Sequence, residues 1–281
     1  MKTSFAPLLL LILLGCGPKQ PPVPAVGGFD TVEQVRDAAW ARAVPSALQA
    51  KVSLNIDAPR QGIKGTARGG LLLHEPGHVR LDLFSPIGTP LLFLAADGEA
   101  LRLFSTTRGA FLQAEDAESA LRSFTGGAAG LNDVVSVLAG RLPFAGAMLQ
   151  ASSRDDGVSR LTFASPQGAK AEVEVDEATL TTQTVRAFGA SGELAFSATY
   201  GAYVNVGGAL LPELVLVEIP PLDMRLTLTL SSWEVLAEVP TTFVLTPPEG
   251  IVPEDLLALL ATLSALIPAA APPPTSPEPT P

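Results

Sequence analysis

Met224-Arg225-Leu226-Thr227-Leu228-Thr229-Leu230 alternates without a break. Successive side chains of an extended chain point to opposite faces, so the methionine and leucines share one face while Arg225, Thr227 and Thr229 take the other. One face suits a core and the other suits water, the pattern of an antiparallel sheet covered on one side. The same period of two recurs upstream, over residues 48–56, 65–74, 79–85, 90–96 and 101–106, with turn signals such as Glu75-Pro76-Gly77 and Ala96-Asp97-Gly98 between them. It stops between Asp116 and Pro143. Strand character returns from Met148 onward, over 160–164, 171–176, 184–188, 194–200, 214–219 and 224–230, with Asp155-Asp156-Gly157 reading as a hairpin turn.

About eleven antiparallel strands, interrupted once, form a sheet long enough that it has to curl or split. The expected fold is therefore mainly β (α+β): an incomplete, curled antiparallel barrel with an N-terminal helix and a helical insert laid across its mouth. Asp30 reads as the N-cap of the first helix with Glu33 three residues on; Val32, Val35, Ala39 and Trp40 form its apolar face, and Pro45 ends it. The insert opens at Asp116-Ala117-Glu118, breaks at Gly126-Gly127, and restarts at Asn132 or Asp133. Leu121, Phe124, Val134, Val135 and Leu138 would form its inward face.

Composition narrows the setting. Net charge is −10, which disfavours nucleic acid and anionic headgroups as partners. Hydrophobic residues make up 47% and charged residues only 16% of the 281 residues, an apolar balance for a soluble domain. Cys16 is the sole cysteine, so disulfides contribute nothing. It follows Met1-Lys2-Thr3 and an apolar run over 6–14 too short to span a bilayer, in the string Leu13-Leu14-Gly15-Cys16. This resembles the lipobox of bacterial lipoproteins, which implies a signal peptide over 1–15 and three acyl chains on Cys16, more than stable anchoring needs. Gly17 is not the Asp that retains lipoproteins in the inner membrane of enteric bacteria, which favours the outer membrane. Residues 16–29 then read as a Pro/Gly spacer, 30–245 as the barrel domain, 246–268 as an amphipathic helix (Pro253 at its start, then Leu256, Leu259, Leu260, Leu263 and Leu266), and 269–281 as a disordered Pro-rich tail.

Catalytic patterns are weak. His74-Glu75-Pro76-Gly77-His78 spells H-E-x-x-H, but that motif grips zinc only on a helix, and Pro76-Gly77 forbids one. These are the only two histidines, and no phosphate-binding or dinucleotide-binding glycine motif is present. No catalytic residue, metal site or cofactor is expected beyond the covalent lipid on Cys16, and the chain reads as a non-enzyme.

Three segments, in order, resemble the LolB family of outer-membrane lipoprotein receptors and its wider relatives. The first is Leu81-Asp82-Leu83-Phe84-Ser85-Pro86-Ile87-Gly88-Thr89. The second runs from Asp116-Ala117-Glu118 through Leu121, Thr125-Gly126, Leu131, Leu138, Gly140 and Pro143. The third is Leu211-Pro212-Glu213-Leu214-Val215-Leu216, followed by Leu226-Thr227-Leu228 and Trp233-Glu234-Val235. The resemblance implies a monomer whose apolar cavity accepts lipoprotein acyl chains from a LolA-like periplasmic carrier and inserts them into the outer membrane. It also implies that Ile87, between Pro86 and Gly88, projects into membrane lipid; the alternative is that it folds back on its own barrel. Leu81, Leu83, Leu92, Leu94, Leu101, Leu103, Val173, Leu226 and Leu228 lie on consistent strand faces, a pattern that fits a packed core and a lined void equally. Two rival functions share this fold: a general lipid- or glycolipid-binding lipoprotein, and a structural envelope lipoprotein with a filled core.

Overall fold

In a computed structural model, residues 27–164, 168–238 and 242–258 are described. Cys16, the signal peptide, most of the spacer, the Pro-rich tail and the leucines of the C-terminal stripe beyond Leu256 lie outside them. The chain begins with helix α1 (Val32–Ala41), followed by strands β1 (Ala47–Ala58), β2 (Ile63–His74), β3 (His78–Phe84), β4 (Pro90–Asp97), β5 (Leu101–Ser105) and β6 (Ala110–Ala114). Helices α2 (Ala117–Phe124) and α3 (Leu131–Leu138) come next. Then follow β7 (Met148–Asp155), β8 (Val158–Ala164), β9 (Lys170–Asp176), β10 (Thr182–Phe188), β11 (Leu194–Tyr200), β12 (Tyr203–Val206), β13 (Ala209–Pro212), β14 (Leu214–Ile219), β15 (Met224–Val235) and β16 (Glu254–Asp255).

Fourteen strands form one sheet, ordered β16-β6-β5-β4-β3-β2-β1-β15-β14-β11-β10-β9-β8-β7, and β12-β13 form a separate ribbon. Two meanders are thus joined where β15 returns to pair with β1. All pairings are antiparallel except β16 on β6, and the end strands β16 and β7 do not pair among the described residues, so the sheet curls without closing. The expected strands are present. Added to them are β6, whose apolar residues fall on both faces, and β16 and the β12-β13 ribbon, each too short for alternation to announce it.

Two local devices shape the curl. At Gly69 in β2, a side chain would place its first carbon 1.7 Å from the Asp82 carbonyl oxygen, so β2 and β3 approach more closely there than any other residue type permits. In β15, Ser232 takes φ +52° where the register to β1 slips by one residue, a β-bulge. Without it, the alternation that buries Leu228 and Leu230 would turn Trp233 outward. With it, Trp233 is buried and its indole N–H donates to the Pro212 carbonyl at 2.8 Å.

Helix α1 starts one residue later than Asp30: Thr31 is the N-cap, in a reciprocal capping box with Gln34. Asp116 caps α2, accepting from the Ser119 N–H at 2.9 Å. Helix α3 starts at Leu131, ahead of the expected Asn132 or Asp133, because two carboxylates serve its free N–H groups. Glu118 of α2 accepts from Leu131 at 2.7 Å, and Asp133 reaches back to Gly130 at 3.0 Å.

Candidate functional site: the inner face of the sheet

Residues opposite one another in register share a face, so the pairings define rows across the sheet. The row Leu48–Leu73–Val79–Ala96–Leu101–Ala114 is buried throughout, none more than 7% exposed. The next row towards the other end, Leu71–Leu81–Leu94–Leu103–Leu112, is buried only at Leu71, and its other four leucines are half-buried. Strands β14 and β15 repeat the gradient: Leu230, Leu228 and Val215 are buried, whereas Leu226, Val217 and Ile219 are half-buried. In β1 and β2 the gradient is absent, since Val52, Leu54, Ala58 and Ala67 all stay buried, and Leu83 is buried too where β2 draws close at Gly69, with half-buried Leu92 beside it. On β4–β6 and β14–β15 burial thus fades towards the end of the sheet that carries the turns at 85–89, 106–109 and 220–223. The result is an apolar trough open at that end.

The far half of the sheet is buried along its central row. Val173, Leu161, Val185 and Ala198 sit in register and are all completely buried, and Phe163 beside them packs against Trp40 of α1 (5.6 Å) and against Phe144 (6.3 Å). Of the residues expected to line a void, Val173, Leu83, Leu101 and Leu228 are buried, whereas Leu81, Leu92, Leu94, Leu103 and Leu226 are half-buried. Leu112, Val217, Ile219 and Ile56 are half-buried against the same core and escaped sequence reasoning. The helical insert packs over the buried end: the Ala117 N–H donates to the Glu99 carbonyl, and Leu131 abuts Gly77. Val135 is buried and Leu121 and Leu138 lie half-buried against the core, whereas Val134 is half-buried and Phe124 is exposed. The helices thus lie across the end opposite the open turns.

At the open end stands the turn Ser85-Pro86-Ile87-Gly88. The Gly88 N–H donates to Ser85 O at 2.9 Å, and Gly88 takes φ +88°, a conformation suited to glycine. The Ser85 N–H donates to Thr89 O at 2.7 Å and completes the hairpin. Ile87 is 90% exposed at the tip, far more than the leucines below it.

His74 and His78 face each other across the turn joining β2 and β3, on the outer face, with rings 5.3 Å apart and Phe243 packed 5.1 Å from His78. No cluster of three or more His, Cys, Asp or Glu able to hold a metal occurs among the described residues.

A second space lies apart from the trough. A cavity of about 630 Å³ sits between α1, α3, the connection after α3, and strands β8 and β9. It is lined by Trp40, Leu142, Phe144 and Phe163 together with Arg42, Arg122, Arg141, Lys170, Glu75, Glu118 and Asp133. Arg42 donates to the carbonyls of Leu210 (2.7 Å) and Gly140 (2.5 Å); burial pulls its guanidinium below the usual range, against the opposing pull of the Tyr203 hydroxyl. Arg141 donates to the Val44 carbonyl and pairs with Glu75 at 2.8 Å. Burial pushes the Asp133 carboxyl above its ordinary range, against the Gly130 and Phe144 N–H groups that it accepts at 3.0 and 2.8 Å. The second of these bonds holds Phe144 at φ +64°. An Asp133→Asn variant keeps the shape but turns an NH₂ towards one of those donors. It should destabilise the fold by about 1–3 kcal/mol in a denaturant melt, even though it removes a buried charge.

No protein-family model matches the sequence, and no curated protein matches it. Solved structures do match. A LolA superfamily protein from Nitrosomonas europaea superposes with a TM-score of 0.54 at 16% identity, covering 77% of this chain and 98% of that one. A DUF1329 family protein from Desulfovibrio piger gives 0.52 at 13% identity, covering 76% and 97%. At these identities the likeness is one of architecture. The chain has a LolA-like fold, an open curled antiparallel sheet with few helices.

Proposed function

We propose that the protein is a LolB-like envelope lipoprotein, anchored through acyl chains on Cys16 at the periplasmic face of the outer membrane. It takes the acyl chains of other lipoproteins from a soluble LolA-like carrier into the trough and releases them to the bilayer past the Ile87 turn. The observation that carries this reading is a coincidence of direction: the leucine rows become accessible towards the same end of the sheet at which Ile87 stands exposed.

The energetics suit such a hand-over. Each buried methylene is worth about 0.8 kcal/mol, so moving a triacylated anchor through water costs on the order of tens of kcal/mol. Passage from one apolar trough to another exposes little of that surface and needs no local energy source.

A reconstituted transfer assay tests this. Carrier loaded with a triacylated lipoprotein is mixed with liposomes bearing this protein, and membrane-bound cargo is measured. Cargo should leave the carrier and enter the liposomes only when the protein is present. Cargo that leaves the carrier but stays on the protein would point to a lipid-binding lipoprotein of another route. Cargo that never leaves the carrier would remove the receptor role.

A further inference from the structure

The end of the sheet that bears Ile87 holds an excess of cations, although the net charge of the whole chain is −10. The turns at 59–62, 85–89, 106–109 and 220–223, with the strand ends beside them, carry three carboxylates, and each already faces a cation. Asp57 pairs with Lys64 at 3.6 Å, Asp223 with Arg60 at 3.7 Å, and Glu218 with Arg225 at 2.8 Å. Two further cations, Arg68 and Arg108, are exposed, and their side chains have no carboxylate or hydrogen-bond partner among the described residues.

These two flank Ile87. Arg68 of β2 stands in register with Phe84, the last residue of β3 before the Ser85-Pro86-Ile87-Gly88 turn. Arg108 lies in the turn joining β5 to β6, and Thr106 ties that turn to the start of β4. The Thr106 hydroxyl donates to the Pro90 carbonyl at 2.6 Å and its N–H to the Leu91 carbonyl at 3.1 Å. Ile87, 90% exposed, is thus bracketed by unmatched guanidiniums, and Ile63, 43% exposed, sits next to Lys64 on β2.

Local charge decides what such a surface meets. At about 0.15 M ionic strength charges are screened over about 8 Å, so carboxylates on distant strands act weakly at this rim. Guanidiniums hold phosphate oxygens through two parallel N–H bonds. Each basic residue at an anionic bilayer surface strengthens binding about fivefold, and two together about thirtyfold.

We infer that this rim docks on a bilayer containing anionic phospholipid: Ile87 enters the acyl layer while Arg68 and Arg108 hold lipid phosphates on either side. Such docking rests on the proposed function, with the Ile87 turn as the membrane-facing element, and adds the headgroup that the turn selects.

Thr107→Trp places a reporter beside Arg108 at an exposed position of the full chain, and the parent chain supplies the background from Trp40 and Trp233. Quenching is measured on liposomes of acyl-brominated phosphatidylcholine, with and without phosphatidylglycerol, at about 0.15 M and about 1 M salt. Phosphatidylglycerol should raise the ratio of docked to undocked protein about thirtyfold at the lower salt, and little of that gain should survive at the higher. Arg68→Gln and Arg108→Gln should each remove about fivefold of it, with unchanged thermal melts, because neither side chain has a partner to lose. Arg186→Gln makes the same charge change on β10, in the other half of the sheet, and should leave the response intact. Equal quenching on both liposomes, a response that survives the higher salt, or an equal loss in Arg186→Gln would overturn this docking mode. Docking without headgroup preference removes the arginine contacts and leaves the receptor role standing. Headgroup-selective docking without cargo transfer does the reverse.

Discussion

Ile87→Glu is expected to abolish insertion of cargo into liposomes while leaving the protein's thermal melt unchanged. At 90% exposure Ile87 contributes almost nothing to the core, and Pro86 and Gly88 continue to form the turn, so stability should move by no more than about 0.5 kcal/mol. In a bilayer the same side chain recovers about 1.5–3 kcal/mol. That is roughly a ten- to hundredfold preference for the membrane-docked state, and a glutamate replaces it with a penalty. Cargo should still leave the carrier, because the trough lies below the turn and is untouched. Insertion at the wild-type rate, with matched protein levels, would return Ile87 to the ordinary exposed apolar residues that carry no role.

The second large effect lies in the scaffold. Gly69→Val should destabilise the fold by about 3 kcal/mol or more, enough to prevent accumulation of folded protein. The added carbon would meet backbone, the Asp82 carbonyl oxygen at 1.7 Å and its carbon at 2.8 Å, and backbone in a ladder cannot step aside like the end of a long side chain. The neighbouring Gly70 provides the control, since nothing lies within 4 Å of the corresponding position; Gly70→Ala should stay within about 1 kcal/mol of wild type. Equal tolerance of both substitutions in urea melts would show that β2 and β3 do not depend on that close passage.

Period-two alternation made most of the sheet legible, because it reports directly which side of a strand meets the core. It did not reveal β6, whose Ala110-Phe111-Leu112-Gln113-Ala114 places an apolar residue on both faces, nor β16, which is recognisable as a strand only by its pairing with β6. The start of α3 was hidden for a different reason: Glu118, which serves Leu131, comes from the preceding helix, and such capping between elements leaves no local signal. Reading hollow against filled from sequence was out of reach in principle. Leu101 and Leu103 alternate identically, yet Leu101 sits in the buried row and Leu103 in the open one, a distinction set by the helices over one end.

The account rests on the trough as the seat of acyl chains, and photolabelling tests this most directly. A palmitoyl probe carrying a diazirine near its methyl end is bound to the purified full chain, irradiated, and the adducts are mapped by peptide mass spectrometry. The adducts are predicted on the half-buried inner row, at Leu94, Leu103, Leu112 and Leu226, and should diminish in a Leu103→Glu variant. Absence of saturable labelling, or adducts confined to outer-face residues such as Phe93 and Phe104, would contradict it.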